Sequence, residues 1–188
     1  MTAVNSKEAI LSAARQAAQA HGYAGLNMRD LATAVGIKAA SIYHHFPGKA
    51  DLATAVAQRY REDTAADLET LAEEAEDPLD RLRRYPRIFR RSLENGNRLC
   101  LCSFMSAEYE DLPDSVKTEV QAFGEVNVAW LAKVLKAAGM TGQKTVEQRA
   151  KAIFAAVSGA QLMARSRADL ALFDTLIDGY RVAGLLAP

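Results

Sequence analysis

Residues 26–52 read LNMRDLATAVGIKAASIYHHFPGKADL, and their spacing predicts two short helices joined by a tight turn. Asn27 is a strong N-cap, and Asp30 stands where a carboxylate reaches back toward the unpaired amides of a first turn. Met28, Leu31, Ala32 and Val35 recur at helical spacing and form one apolar face. Gly36 ends the segment, because glycine accepts the left-handed backbone beyond a last helical turn without steric cost. A second helix covers Ala39 to Phe46 and is stopped by Pro47-Gly48. Ile42 and Phe46 are four apart and share its buried face.

The rest of that second helix faces outward. At 100° per residue, Ala40 and His44 lie opposite Ile42, with Ser41 and Tyr43 on the flanks. Helix, glycine-containing turn and helix together make a helix-turn-helix, whose second helix enters the major groove of DNA. Ala40 lets the backbone come close and offers a methyl to thymine. Tyr43 and His44 donate to phosphate or base edges, and Ser41 serves either. Lys38 and Lys49 bracket the helix as phosphate partners, and Arg29 is a further candidate. Asn27 and Ala39, at the starts of the two helices, complete the expected DNA-binding set. An ordinary helical hairpin with a polar face fits poorly with an outward aromatic beside two histidines.

Residues 10–52 resemble the N-terminal domain of the TetR family of bacterial transcriptional regulators. The resemblance rests on Ile10 and Ala14, on His21-Gly22-Tyr23, on Arg29-Asp30-Leu31-Ala32 and on Val35-Gly36-Ile37. Above all it rests on Ile42-Tyr43-His44-His45-Phe46-Pro47 with Lys49 and Leu52. It implies a three-helix DNA-binding domain at residues 1–50, followed by a helical ligand-binding and dimerisation domain at 51–188. It implies that Tyr43, His44 and Lys49 touch the DNA backbone and that residues 38–41 lie near bases. The chain departs from the family at position 38, which is often a capping serine there and is Lys38 here. The expected cap is weaker, and a new cation stands at the DNA surface.

The chain has 188 residues and a formal net charge of zero. That balance hides a polarity. Residues 1–50 carry Lys7, Arg15, Arg29, Lys38 and Lys49 against Glu8 and Asp30, an excess of three positive charges, and all three histidines lie there too. The remainder is acidic by the same amount. A mildly basic head suits phosphate, with modest non-specific affinity and reliance on two half-sites. No leader-like segment precedes the first helix and no apolar run is long enough to span a bilayer, so a cytoplasmic protein without membrane association is expected.

Everything after Gly48 reads as helix, and the class is all-α. A long connecting helix runs from Lys49 to about Ala75. Asp77-Pro78 opens the next, with Leu82, Tyr85, Phe89 and Leu93 inside, a bend at Pro86, and an end at Asn95-Gly96. A short helix follows around Cys102 to Tyr109. Pro113-Asp114 starts a long helix ending at Gly139, with Val116, Val120, Phe123, Trp130 and Val134 as its stripe. Thr145 is expected to cap a helix reaching about Arg167, and Asp169 begins the last. Small residues from Ala152 to Ala160, with Leu170, Phe173, Leu176, Ile177, Leu185 and Leu186, predict a homodimer through the last two helices.

The body is expected to hold a small-molecule inducer in a mostly apolar pocket. Its candidate lining is Phe89, Cys102, Phe104, Met105, Tyr109, Phe123, Asn127, Trp130, Phe154 and Gln161, with Asn127 and Gln161 as the orienting polar groups. Plain core packing is the alternative for such aromatics. Cys100 and Cys102 point about 200° apart if helical, so inert burial is the default and redox or electrophile sensing is secondary. Arg81, Arg83, Arg84, Arg87, Arg90 and Arg91 crowd one helix, as a solvated face paired with nearby acids or as an anion site.

The sequence therefore predicts a homodimeric, ligand-released repressor acting on a palindromic double-stranded DNA operator, with no cofactor, metal or catalytic residue. A thiol enzyme would want a paired base and Cys-x-x-Cys spacing. Here the histidines are all in the head and the spacing is Cys-x-Cys.

Overall fold

The computed structural model describes residues 3–187, with side chains from Ser6 onward. Its elements are helical, and no strand occurs among the described residues. They run as α1 (Ala3–His21), α2 (Met28–Val35), α3 (Ala39–His45), α4 (Lys49–Glu74), α5 (Pro78–Arg84), α6 (Pro86–Glu94), α7 (Leu101–Ala107), a 3-10 turn (Tyr109–Asp111), α8 (Asp114–Ala137), α9 (Gln143–Ser166) and α10 (Leu170–Val182). The chain packs as two units, Met1–Arg61 with Leu101–Gln121 and Glu62–Cys100 with Ala122–Pro188.

The first unit is built on α1, α2 and α3. Ile10, Leu11, Ala14 and Ala18 of α1 are buried together with Leu31, Ala32, Ile42 and Phe46. The cap and stop residues act as their chemistry requires. Asn27 Oδ1 accepts from the amides of Arg29 at 2.9 Å and Asp30 at 3.4 Å. Gly36 adopts φ 74°, ψ 33°, and its amide donates to the Ala32 and Thr33 carbonyls. Leu101, Met105, Leu112 and Val116 add a second buried layer to this unit, which also holds the start of α4. Arg61 pairs with Glu119 at 2.8 Å, and the Thr54 hydroxyl donates to Ser115 Oγ at the same distance.

In the second unit, α6, α9 and α10 pack on one another. The expected bend at Pro86 is a division: α5 and α6 meet at Tyr85, which keeps helical angles (φ −47°, ψ −45°). Pro86 has no N–H to continue the ladder, so it starts a helix instead of bending one. Asp77 caps α5 as expected, Oδ1 accepting from Leu79 N–H at 3.0 Å. Thr145 does not cap α9. The helix begins earlier, at Gln143 after Gly142, whose φ of 85° and unhindered backbone make the sharp entry and leave Thr145 inside the first turn. Asp169 caps α10 through Leu172 N–H at 3.1 Å.

The arginine-rich helix pair is a paired face. Arg84 bonds Asp80 at 2.6 Å, Arg91 bonds Asp67 at 2.7 Å, and Arg90 meets both Glu94 and Asp174. The acids expected nearby supply only part of this. Asp67 and Asp174 come from α4 and α10.

Candidate nucleic-acid interface

Local burial turns the α3 side chains outward. Ile42 is fully buried and Phe46 nearly so, while Tyr43 on the same single turn is 50% exposed. Ala40 and His44 are exposed with it, and Ala39 and Ser41 are half-buried on the flanks. Lys38, Arg29 and Asn27 are exposed at the ends of the helix pair. Of the expected set, Asn27, Arg29, Lys38, Ala40, Tyr43 and His44 are thus exposed in the three-helix head, and Ala39, Ser41 and Lys49 are half-buried. Lys38 sits at the N-cap of α3 in extended backbone (φ −74°, ψ 144°) and gives the helix no side-chain cap. Its ammonium is left at the entry of the outward helix.

Lys49 has an occupation that spacing did not reveal. Its Nζ lies 4.4 Å from the centre of the Tyr23 ring and donates to the Ala24 carbonyl at 3.3 Å. An ammonium has three donors, so this engagement orients Lys49 and leaves donors for phosphate. Burial raises the Tyr23 phenol above its ordinary pKa, so the ring under Lys49 is neutral at physiological pH. Lys7 stands 5.9 Å over Phe46 and Arg15 4.6 Å over Tyr60, further cations held on this unit by aromatic faces.

The expected ligand lining falls in both units. Cys102, Phe104, Met105 and Tyr109 belong to the first, with Cys102 and Met105 buried and Tyr109 41% exposed. Phe89, Phe123, Asn127, Trp130, Phe154 and Gln161 come together in the second. Phe154 lies 6.2 Å from Phe89 and 6.1 Å from Phe123 between ring centres. Tyr85, read only as an inner-face residue, joins them and stacks on Trp130 at 5.8 Å and 20°.

Both polar groups expected to orient a ligand are fully buried and bonded inside the protein. Asn127 accepts from the Tyr85 hydroxyl and donates to the Phe123 carbonyl, each at 2.9 Å. Gln161 accepts from Cys100 N–H at 3.0 Å and donates to the Phe89 carbonyl at 2.6 Å. Cys100 and Cys102 are each 1% exposed. A cleft of about 510 Å³ lies elsewhere in this unit, lined by Arg83, Arg87 and Arg90 with Asp174, Ile177 and Arg181. No residue of the expected lining borders it. The arginine run had marked that face as charged, but only the fold brings α10 against it.

Residues 10–56 match the family model described as "Bacterial regulatory proteins, tetR family". Among curated proteins, an HTH-type transcriptional repressor AcnR of Corynebacterium efficiens is 43% identical over 70 residues, which are 37% of this chain and 36% of that protein. The match therefore spans about a third of that repressor's length. Among solved structures, a TetR family transcriptional regulator from Agrobacterium tumefaciens is 31% identical, with a TM-score of 0.88 over 95% of this chain and 96% of that one. A TetR transcriptional regulator from Legionella pneumophila is 28% identical, again with a TM-score of 0.88, over 94% and 96%. With helix-turn-helix head, helical body and near full-length likeness in agreement, the chain belongs to the TetR family of DNA-binding transcriptional regulators, which are not enzymes.

Proposed function

We propose that this chain is a homodimeric repressor that binds a palindromic operator and is released from it by a small molecule. Residues 1–50 read DNA and residues 51–188 bind ligand and dimerise. The observation that carries this is the α3 surface: Ile42 fully buried, Tyr43 half exposed, and Lys38 and Lys49 at its two ends. Ala39, Ala40 and Ser41 approach base edges, while Asn27, Arg29, Lys38, Tyr43, His44 and Lys49 hold phosphates.

Support for the dimer lies on α9 and α10, where Leu162 is 57%, Met163 44% and Val182 91% exposed. Apolar surface of that extent on paired helices is what a four-helix interface would cover. The two heads then stand about 34–36 Å apart, one helical turn of DNA. A ligand that prefers a body with α4 displaced changes that spacing and releases DNA, and one with equal affinity for both states would do nothing.

The inducer site is the aromatic cluster of the second unit around Asn127 and Gln161, formed by Phe89, Phe123, Trp130 and Phe154. Ligand polar groups would exchange with the Tyr85 and Cys100 partners of the two amides. Burial of both cysteines favours a bound small molecule over thiol oxidation as the signal. Among the described residues, no helix is long and apolar enough to cross a membrane.

The test is selection of bound duplexes from a random pool, followed by a ligand screen for release. Enrichment of a palindrome with half-sites one turn apart supports the proposal. Absence of any enriched sequence at low salt would sink it.

A further inference from the structure

The turn between α1 and α2 is held from outside the helix-turn-helix. Within it, the amides of Gly22, Gly25 and Leu26 donate to the carbonyls of Ala18, His21 and Tyr23 at 2.8, 3.2 and 3.1 Å. The Tyr23 amide instead donates to Glu108 Oε2 at 2.7 Å, from a residue 85 positions away at the end of α7. Gly22 is what permits this approach. It is buried, its φ is 69°, and a Cβ built on it would overlap both carboxylate oxygens of Glu108. The backbone angle favours glycine, and the missing side chain leaves the Glu108 carboxylate in the place from which it reaches Tyr23 N–H, because a Cβ there would push it aside. On the same turn, Tyr23 and Ala24 carry the Lys49 ammonium through ring and carbonyl.

We propose that Glu108 is a positioning residue for DNA binding, clamping the Gly22–Gly25 turn so that Tyr23 and Ala24 present Lys49 to phosphate. This rests on the reading of the head as an operator-binding domain. Moving the Glu108 carboxylate away deprives the half-buried Tyr23 N–H of its charged acceptor, and the loss of that bond frees the turn to rearrange. The ring and carbonyl that orient Lys49 move with it. The end of α7 is therefore a point from which the phosphate contact at the start of α4 can be set or lost without any change in α3.

The experiment measures affinity for the selected palindrome by fluorescence anisotropy over a series of salt concentrations. The proteins are wild type, Glu108→Ala, Glu108→Gln, Lys49→Ala and the double variant Glu108→Ala/Lys49→Ala, with thermal melts run alongside. Glu108→Ala is expected to weaken binding about tenfold, the loss of one charge-assisted hydrogen bond acting through the turn. Glu108→Gln keeps an acceptor oxygen and should stay within about threefold of wild type. In the Lys49→Ala background Glu108→Ala should cost little more, because both act on one contact. A change that merely loosened the fold would give additive losses and no rescue by glutamine. Additive losses, or Glu108→Ala binding as tightly as wild type, would overturn the proposal. Should Glu108→Ala melt below the assay temperature, Glu108→Asp, one methylene short, enters the same cycle with the same expectations. A wild-type protein that enriched no DNA sequence would remove the operator-binding reading and this proposal with it, whereas wild-type binding with an indifferent Glu108 removes this proposal alone.

Discussion

The Tyr85 hydroxyl donates to Asn127 Oδ1 at 2.9 Å, between two residues that are both completely buried. The bond ties the junction of α5 and α6 to the middle of α8, and the ring that carries it stacks on Trp130. Tyr85→Phe keeps the ring and removes the donor. Asn127 Oδ1 is then buried without a partner, which costs about 1–3 kcal/mol. We expect urea denaturation to show that loss with an unchanged slope. Burial, and secondarily the nearby Cys100 thiol, push the Tyr85 phenol well above its ordinary value of 10.0. Its contribution is fully present below pH 10 and is lost as pH rises toward the folded-state value, because only the unfolded phenol ionises there. The gap between wild type and Tyr85→Phe should therefore narrow above about pH 10. A constant gap would show that the buried phenol does not govern the alkaline limb.

The same pair marks what the sequence can and cannot tell. Asn27, Gly36, Asp77 and Asp169 act through bonds to their own neighbours, so their roles were legible from residue type and position. The outward face of α3 was legible too, because Ile42 and Phe46 fix its rotation. Asn127 and Gln161 stood out as polar residues on apolar stripes, but their partners did not: Tyr85, Cys100 and the Phe89 carbonyl arrive from other helices. Glu108 bore no signal at all, since its partner is a backbone amide 85 residues away. Thr145 misled because Gly142 and its positive φ start α9 before a side-chain cap is needed.

Arg90 holds Asp174 in a two-pronged bond, Nε to Oδ1 at 2.8 Å and Nη2 to Oδ2 at 2.9 Å, joining α6 to α10. That bond, with the charges of Arg90 and Arg181, lowers the Asp174 carboxyl below its ordinary 3.8 against the opposing effect of burial. A depressed carboxylate stabilises above its unfolded pKa and loses that contribution as pH falls through the folded value. Asp174→Asn should cost under about 1 kcal/mol at neutral pH, since the pair is partly solvated. The difference should begin to shrink below pH 3.8, where the unfolded carboxyl takes up a proton, and vanish once pH has fallen through the lower folded value. Urea titrations at neutral pH and at the acid limb decide it, and a difference that persists in acid would trace to packing.

Leu162 and Met163 present apolar side chains to solvent on α9, beside the exposed Ala155 and the small Gly159. If this face joins two copies, Leu162→Asp/Met163→Lys should convert a dimer to a monomer in sedimentation velocity, with helical content unchanged. Operator affinity should fall by about a hundredfold or more, because the half-sites no longer act as one bivalent site. A double variant that still sediments as a dimer would place the interface elsewhere.

Lys38 makes two predictions of opposite sign. As the N-cap of α3 it occupies extended backbone suited to a serine cap, yet gives no side-chain bond to the helix. Lys38→Ser supplies that acceptor and should raise stability by about 1 kcal/mol. The same change removes a cation from the face proposed to meet phosphate. Each phosphate contact contributes about 0.9 to the slope of log affinity against log salt, so that slope should fall by about one per protomer. Binding should weaken at low salt, and the two proteins should converge as salt screens the contact. Higher melting temperature with an unchanged salt slope would confirm the cap and remove Lys38 from the DNA surface. A lower slope without added stability would keep the phosphate contact and show that α3 gains nothing from a cap.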